Sequence, residues 1–448
     1  MPRNELRTLN LPIADELARR TGVKPRVRPD DCTPYAVADA VPKLVFSPRT
    51  ATEAAKTITL LAQEGASIVI RGAGTKRYRP PAPHALDAVL DTARCSGINA
   101  YEPADLTVTV ASGTPLAELQ AALRQHHQFF PVDPPFATEA TIGGMLAARS
   151  LGALRQQYGS PRDNVLGMRV CLSDGSVAFT GAKVVKSVAG YDIAKLFVGS
   201  YGTLGFIADV TLKVAPLPAE QLSIVAVFAR VEDACAAANA IASGPLFPLA
   251  TALLDSGSAA LVRTLAARSS SDWTLVIRCG GSRAGAQAVA DGVTRACRAG
   301  GARETAMLDA DRTLSAWTDI PDLAGGAFFP ASRWVACKVV GLPSDSAEVC
   351  KLAASICEET RVMAHPTVGA VFVHFDARQE GALSNARELE SICSAHRWTL
   401  EYLGAPADLG AALRQPIPDG APLLLARTIK AAFDPTGTFD PGRLAGGI

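Results

Sequence analysis

The sequence predicts an α+β protein of two principal domains, and three observations carry that prediction. Between Leu44 and Ile70 an apolar run, an amphipathic helix pattern and a second apolar run follow one another as a β-α-β unit. From Pro131 to Val214 glycines gather at turns between strand-like segments. After Ala215 strands and helices alternate behind a proline junction, the texture of a second α+β domain laid over the first. The division expected is a lead-in over 1–40, a first domain over 41–216, a second over 217–405, and a C-terminal helix and tail over 406–448 that packs back on the first domain.

The elements follow in order. Ile13 to Arg20 has amphipathic helical spacing, and a polar lead-in ends at Thr33-Pro-Tyr-Ala-Val37. Leu44 to Phe46 reads as a strand. Thr50 with Glu53 three residues on is a capping-box signature for a helix that continues to Glu64 and stops at Gly65. Ser67 to Ile70 is a buried-strand run, Asp87 to Asp91 a strand, and Leu106 to Ser112 an alternating strand. Thr114 as cap and Pro115 at the first position open a helix. Met145 to Arg149 is a short helix, and Asp163 to Leu172 with Ser176 to Phe179 flank a Ser-Asp-Gly175 hairpin turn. In the second domain Leu222–Phe228, Trp273–Arg278, Trp334–Val340 and Val368–Phe375 read as strands. Helices are expected over Val231–Ile241, Ala284–Ala299, Ser344–Thr360 and Gly381–Ala395, and the tail carries one over Leu423–Ala432. No internal repeat of 20–50 residues is visible.

The chemistry concentrates in the glycines. Arg71-Gly-Ala-Gly-Thr75 follows a strand, Thr141-Ile-Gly-Gly144 follows the loop Pro131-Val-Asp-Pro-Pro135, and Gly199, Gly202 and Gly205 recur at a spacing of three. Glycine admits close approach by another backbone or a ligand, and turns of this kind leave amides free to meet an anion such as a pyrophosphate. Each glycine taken alone is equally an ordinary turn residue. The first cluster is a poor dinucleotide fingerprint: the third glycine would fall on Arg77, and Tyr78-Arg-Pro-Pro81 cannot begin a regular helix.

Composition excludes several classes. With 44 basic against 43 acidic residues there is no field to draw nucleic acid or an anionic membrane. No apolar run is long enough to span a bilayer and the N-terminus lacks a signal-peptide core, so a cytoplasmic protein without direct membrane insertion is expected. The ten cysteines include no C-x-x-C pair, so no metal or iron–sulfur site is expected in this chain.

Thr33-Pro-Tyr-Ala-Val37, the Asp133-Pro-Pro135 loop, Lys183-Val-Val-Lys-Ser-Val-Ala-Gly-Tyr-Asp192 and the closing Phe433-Asp-Pro-Thr-Gly437 together resemble the FAD-binding oxidoreductases of the vanillyl-alcohol oxidase (PCMH) type. Within that group the branch most similar is the FAD-binding subunit of bacterial glycolate oxidase. The resemblance implies a two-subdomain PCMH-type FAD-binding domain with a ferredoxin-like α+β cap, and non-covalent FAD. It puts the pyrophosphate near Arg71, Gly72, Ala73, Gly74 and Thr75 and near Thr141, Ile142, Gly143 and Gly144, with Pro134 on the intervening loop. The adenosine end falls near Gly202, Thr203, Gly205 and Ile207. Lys183, Lys186 and Tyr191 become flavin neighbours or, equally, a solvated lysine pair and a core tyrosine.

For function, the resemblance implies oxidation of a small 2-hydroxy acid, with electrons passed to a paralogous FAD subunit and an iron–sulfur subunit. Arg333 and Lys338 are candidates for the cation that holds the substrate carboxylate, with surface charge as the competing assignment. His374 is a candidate base, with a core histidine as the alternative. Tyr201 stands where many relatives carry Glu, and Asp440 where many carry Asn. A non-catalytic FAD-binding relay or assembly subunit, or a stand-alone oxidase of another alcohol, are therefore the rival readings.

Overall fold

The computed structural model describes residues 11–76, 78–83, 85–181, 192–265, 272–417 and 420–444. Among the described residues the first domain contains two larger sheets and a two-stranded ribbon. Strands β1 (Leu44–Phe46), β2 (Ile68–Arg71) and β3 (Ala88–Asp91) pair all-parallel in the spatial order β1-β3-β2. A parallel pair needs a crossover, and the helix Ala51–Gln63 supplies it. The Thr50 side chain accepts from the Glu53 amide at 3.1 Å, as the capping signature predicts, but the Glu53 carboxylate accepts from Arg49 N rather than from Thr50. Ile58 and Leu61 carry the apolar stripe into the core beside Leu44, Phe46 and Phe206.

The second sheet is antiparallel. Strands β4 (Ile98–Glu102) and β5 (Thr107–Ala111) are followed by the short β6 (Gln128–Phe129), then β7 (Val165–Cys171), β8 (Val177–Gly181) and β9 (Phe206–Lys213). Their order is β4-β5-β9-β7-β8, while β6 pairs with β10 (Ala215–Pro216) at the exit from the domain. The helix after β5 runs Leu116–Arg124 and begins one residue later than its sequence suggests. Pro115 takes the cap position, because the Thr114 hydroxyl is engaged by the Gly97 amide at 2.8 Å.

The second domain is one eight-stranded antiparallel sheet built from two βαββαβ halves. The first half comprises β11 (Glu220–Phe228), β12 (Ala250–Leu254), β13 (Trp273–Gly281) and β14 (Glu304–Leu308), in the order β14-β11-β13-β12. The second comprises β15 (Trp334–Val340), β16 (Arg361–His365), β17 (Ala370–Asp376) and β18 (Thr399–Gly404), in the order β16-β17-β15-β18. Pairing of β12 with β16 joins the halves into one sheet. Helices Val231–Ser243, Arg283–Ala299, Ser346–Ala354 and Ala382–His396 cover one face. The other face packs on Ala310–Ala324 and on Ala153 and Leu154 of the first domain.

The tail returns to the first domain. Ile68 N donates to Thr438 O at 2.8 Å and Asp440 N to Ile68 O at 2.7 Å, so residues 438–440 lie along β2. Lys430, in the helix Ala421–Phe433, donates to Thr203 O, Phe439 O and Asp434 Oδ2 at 2.7, 2.8 and 2.6 Å.

Candidate functional site

Three local structures converge on one cleft in the first domain. The turn after β2 contributes Arg71, Gly72, Ala73, Gly74 and Thr75, and the start of the helix Ile142–Ala147 contributes Thr141 and Gly144. An inner chamber adds Gly143, Gly202, Gly205 and Ile207. Thr141 caps its helix by accepting from Gly144 N at 3.3 Å. A Cβ on Gly72 would stand 2.2 Å from the Thr141 hydroxyl, and one on Gly143 2.6 Å from Ser112 Cβ. Glycine is therefore required at both positions for the two backbones to approach this closely. The hydroxyls of Thr92 and Ser112, which line the inner chamber, are buried without a hydrogen-bond partner. Buried polar atoms left open, beside amide-rich turns, suit a ligand that brings oxygen and nitrogen atoms of its own. The residues present thus fit an extended, phosphorylated cofactor.

Phe136, Arg149, Tyr201 and Asp440 adopt left-handed backbone at or beside this cleft, with φ of 58°, 45°, 54° and 39°. Such conformations cost a non-glycine residue about 1 kcal/mol or more and persist where the surroundings enforce them. For Tyr201 the enforcement is visible: its amide is held by Ala147 O at 2.9 Å, and its hydroxyl reaches across to Glu401 of the second domain.

That contact belongs to a charge cluster between the domains. Glu401 on β18 pairs with Lys338, its register partner on β15, and accepts the Tyr201 hydroxyl. Arg79 places its guanidinium 3.8 Å from the Tyr201 ring centroid and its Nε 3.7 Å from Glu401. Burial would push the Glu401 carboxyl up, but Lys338 and Arg79 outweigh that and hold it down at about 2. Lys76 lies over the Phe136 ring at 4.9 Å, and burial together with the neighbouring Lys338 pushes it down to about 8. Behind them Arg443 donates to Arg79 O and Pro81 O at 3.0 and 3.1 Å, Arg79 donates to Arg443 O at 3.0 Å, and Asp440 lies 3.3 Å from Arg443 Nε. A mouth cavity continues outward from Ala73, Gly74 and Thr75 to Phe136, Phe329, Ala336 and Leu403.

The remaining residues expected at the site divide differently. Pro134 faces a second cleft with Asp133 and Arg278, and Pro135 takes the place beside the glycine turn. Ile142 is fully buried in the core of the antiparallel sheet. Thr203 is fully buried too; its hydroxyl donates to Ser200 O and its carbonyl anchors Lys430. Lys338 is in the cluster, 8% exposed, rather than on the surface. Arg333 is on the surface, paired with Asp376 and Glu359. His374 is 1% exposed and stacked on Phe329 at 4.5 Å; burial pushes it down to about 3, so the ring is neutral and walled off from both cavities. Lys183, Lys186 and Tyr191 lie outside the described residues. Arg79, Glu401 and Arg443 escape sequence reasoning altogether, since nothing local distinguishes them from other charged residues. Among the described residues no group of His, Cys, Asp and Glu gathers as a metal site, and no helix is long and apolar enough to cross a membrane.

Comparison with known proteins agrees with this architecture. The family described as FAD binding domain matches residues 42–181, and that described as FAD linked oxidases, C-terminal domain, matches residues 217–377. Glycolate oxidase subunit GlcD of Bacillus subtilis is 32% identical over 225 residues, 50% of this chain and 47% of that protein. Glycolate oxidase subunit GlcE of Escherichia coli is 42% identical over 161 residues, 35% of this chain and 45% of that protein. The chain thus spans less than half the length of these curated relatives. Among solved structures, 4-ethylphenol oxidase from Gulosibacter chungangensis aligns with a TM-score of 0.73 at 16% identity over 98% of both chains. A substrate-bound p-cresol methylhydroxylase gives 0.73 at 15% identity over 97% of both, and at such identities the likeness speaks for the fold. Matched in both domains, with a glycine-lined cleft between β2 and the Thr141 helix, the chain belongs to the FAD-linked oxidases of the vanillyl-alcohol oxidase and p-cresol methylhydroxylase family, and its cofactor is FAD.

Proposed function

We propose that the chain is the FAD-binding subunit of a 2-hydroxy acid oxidase or dehydrogenase of the glycolate type. The observation that carries this reading is the set of cations, Lys76, Arg79 and Lys338, gathered where the glycine-lined cleft meets the second domain. A small hydroxy acid is an anion, and a largely buried cation fixes its carboxylate far more firmly than one in bulk water. The amides of the turn Arg71 to Thr75 meet the pyrophosphate beside the close backbone of Gly143 and Gly144, and the open hydroxyls of Thr92 and Ser112 serve the inner end. Bound there, FAD supplies the acceptor for the hydride of the substrate's α-carbon.

The second domain lines the mouth with Phe329, Ala336 and Leu403. Lys338 and Arg79 orient the carboxylate, and Tyr201, its hydroxyl pushed far up by burial and by Glu401, stays protonated as a donor. The two relatives named as glycolate oxidase subunits support assembly with a paralogous FAD subunit. We infer an iron–sulfur subunit as the exit for electrons and a cytoplasmic location, peripheral to the membrane through those partners.

An anaerobic visible spectrum of the purified chain, before and after glycolate or D-lactate, tests the reading. A flavin spectrum that bleaches supports it. A flavin spectrum that persists with every 2-hydroxy acid, in the presence of partner subunits, removes the catalytic claim.

A further inference from the structure

The cluster at the mouth of the cleft holds a carboxylate already, and it is the protein's own. Val335, Cys337 and Val339 of β15 and Leu400 and Tyr402 of β18 enter the core on the helix-covered face. The alternation of a strand therefore turns Lys338 and Glu401 to the opposite face, along with Ala336 and Leu403, which line the mouth cavity. Glu401 receives Lys338, the Tyr201 hydroxyl and the flank of Arg79, the partners expected of a bound small carboxylate. The seat is richer in cations than one carboxylate satisfies. Arg79 is 6% exposed and its Nε, aimed at Glu401, has no hydrogen-bond partner; Lys76 adds a further positive charge close to Lys338.

We propose that Glu401 is a built-in competitor, its carboxylate occupying an anion seat made by Arg79, Lys338 and Tyr201, so that a small carboxylate ligand binds only where Glu401 has withdrawn. This deepens the proposed function by naming what the substrate's carboxylate must displace. Glu401 lies on β18, the edge strand of the sheet, whose pairing with β15 shifts register between Ala336 and Cys337. Beyond β15 the strand is tied at Tyr402, whose amide and carbonyl bond the Gln415 side chain at 3.1 and 2.9 Å, in place of a full neighbouring strand, and such an edge moves at lower cost than an interior strand.

The test is calorimetric titration of the purified, FAD-loaded chain with potassium oxalate, a dicarboxylate that carries no hydride to donate. Glu401→Ala is expected to bind oxalate at least tenfold more tightly than the unmodified chain, with the gain lost in Glu401→Ala/Lys338→Met. Glu401→Gln keeps the side chain's shape and its acceptor for Tyr201 while removing the charge. It guards against a misfolded alanine variant and is expected to bind at least threefold more tightly. Equal affinity for oxalate in the unmodified chain and in Glu401→Gln overturns the proposal, as does a folded Glu401→Ala with no gain. Flavin content, read separately from absorbance, decides the cofactor assignment whatever the titration shows.

Discussion

The glycine cradle and the charge cluster are neighbours that solve opposite problems. The cradle meets its ligand with backbone: Gly72 and Gly143 exist so that main chain can approach within a side chain's width of Thr141 and Ser112. It carries little formal charge, and its parts lie in short stretches of sequence. The cluster meets its ligand with side chains, and draws them from Lys76, Arg79, Tyr201, Lys338, Glu401 and Arg443, on segments scattered through the chain. The cradle is specific through shape and so depends on packing. The cluster is specific through charge and so depends on how its charges neutralise one another.

The sharpest way to break the comparison is to strike what the two regions share, the C-terminal wall. Lys430→Met leaves Asp434, fully buried in its side chain, without its cation. Breaking a buried pair in this way is expected to cost about 3–5 kcal/mol. Thermal melting should show the loss, and limited proteolysis should release the tail, with cradle and cluster failing together.

A blow to the cradle alone is expected to be smaller and selective. Gly143→Val forces Cβ against Ser112, a local overpacking of about 1–3 kcal/mol. FAD retention after gel filtration should fall roughly ten- to a hundredfold, while the fold, followed by circular dichroism, persists.

Stability against pH separates the charge cluster from the second cleft. Glu401 near 2 and Lys76 near 8 are fixed in charge across the acid-to-neutral range. Asp133, by contrast, is pushed by burial from 3.8 up to about 7, against the pull of Arg278 and of the Leu154 amide. A folded-state value above the unfolded one means the native protein binds the extra proton, so the contribution of Asp133 to stability falls as pH rises from about 4 to about 7 and is level above. Asp133→Asn should flatten that slope, by on the order of 1 kcal/mol across the window, in melts taken at several pH values. Asp440, which burial raises to about 6, adds to that slope, while His365 and His374, pushed by burial down to about 4 and about 3, act against it.

The smallest effect is expected at Arg333. Its guanidinium is well exposed beside Asp376, and Arg333→Ala should leave thermal melting nearly unchanged. Turnover of any hydroxy acid should be unchanged within twofold, unlike the response to changes at Lys338.

The same contrast explains what could be read from the residues alone. Periodicity and caps place the helix Ala51–Gln63 and strands β1, β2, β11, β13, β15 and β17 to within a few residues. Strands β12, β14, β16 and β18 escape, because Ala250–Leu254 and Arg361–His365 are short and do not alternate, and β14 and β18 are edge strands whose pattern is diluted by polar residues. Their loss hides the doubled βαββαβ plan, whose halves share topology and not sequence. Glycine clusters are legible because a turn is a local event, and so most of the cradle is anticipated. Thr203 and Ile142 sit within those same motifs yet face inward, a matter of strand and helix phase that the glycines do not reveal. The cluster is illegible because Arg79, Glu401 and Arg443 acquire meaning only through contacts made across the fold.

Those distant contacts bear on the order in which the molecule can be completed. Asp440 and Arg443 line the cleft whose glycine turn is made near the start of the first domain, and Arg443 locks to Arg79 across 364 residues of sequence. On the ribosome the cradle's glycines emerge first, and the wall that seals them follows only after the whole second domain. Closure of the cleft therefore waits on the second domain: a chain stalled or cut short there has the turns that touch FAD and lacks the wall of Asp440 and Arg443.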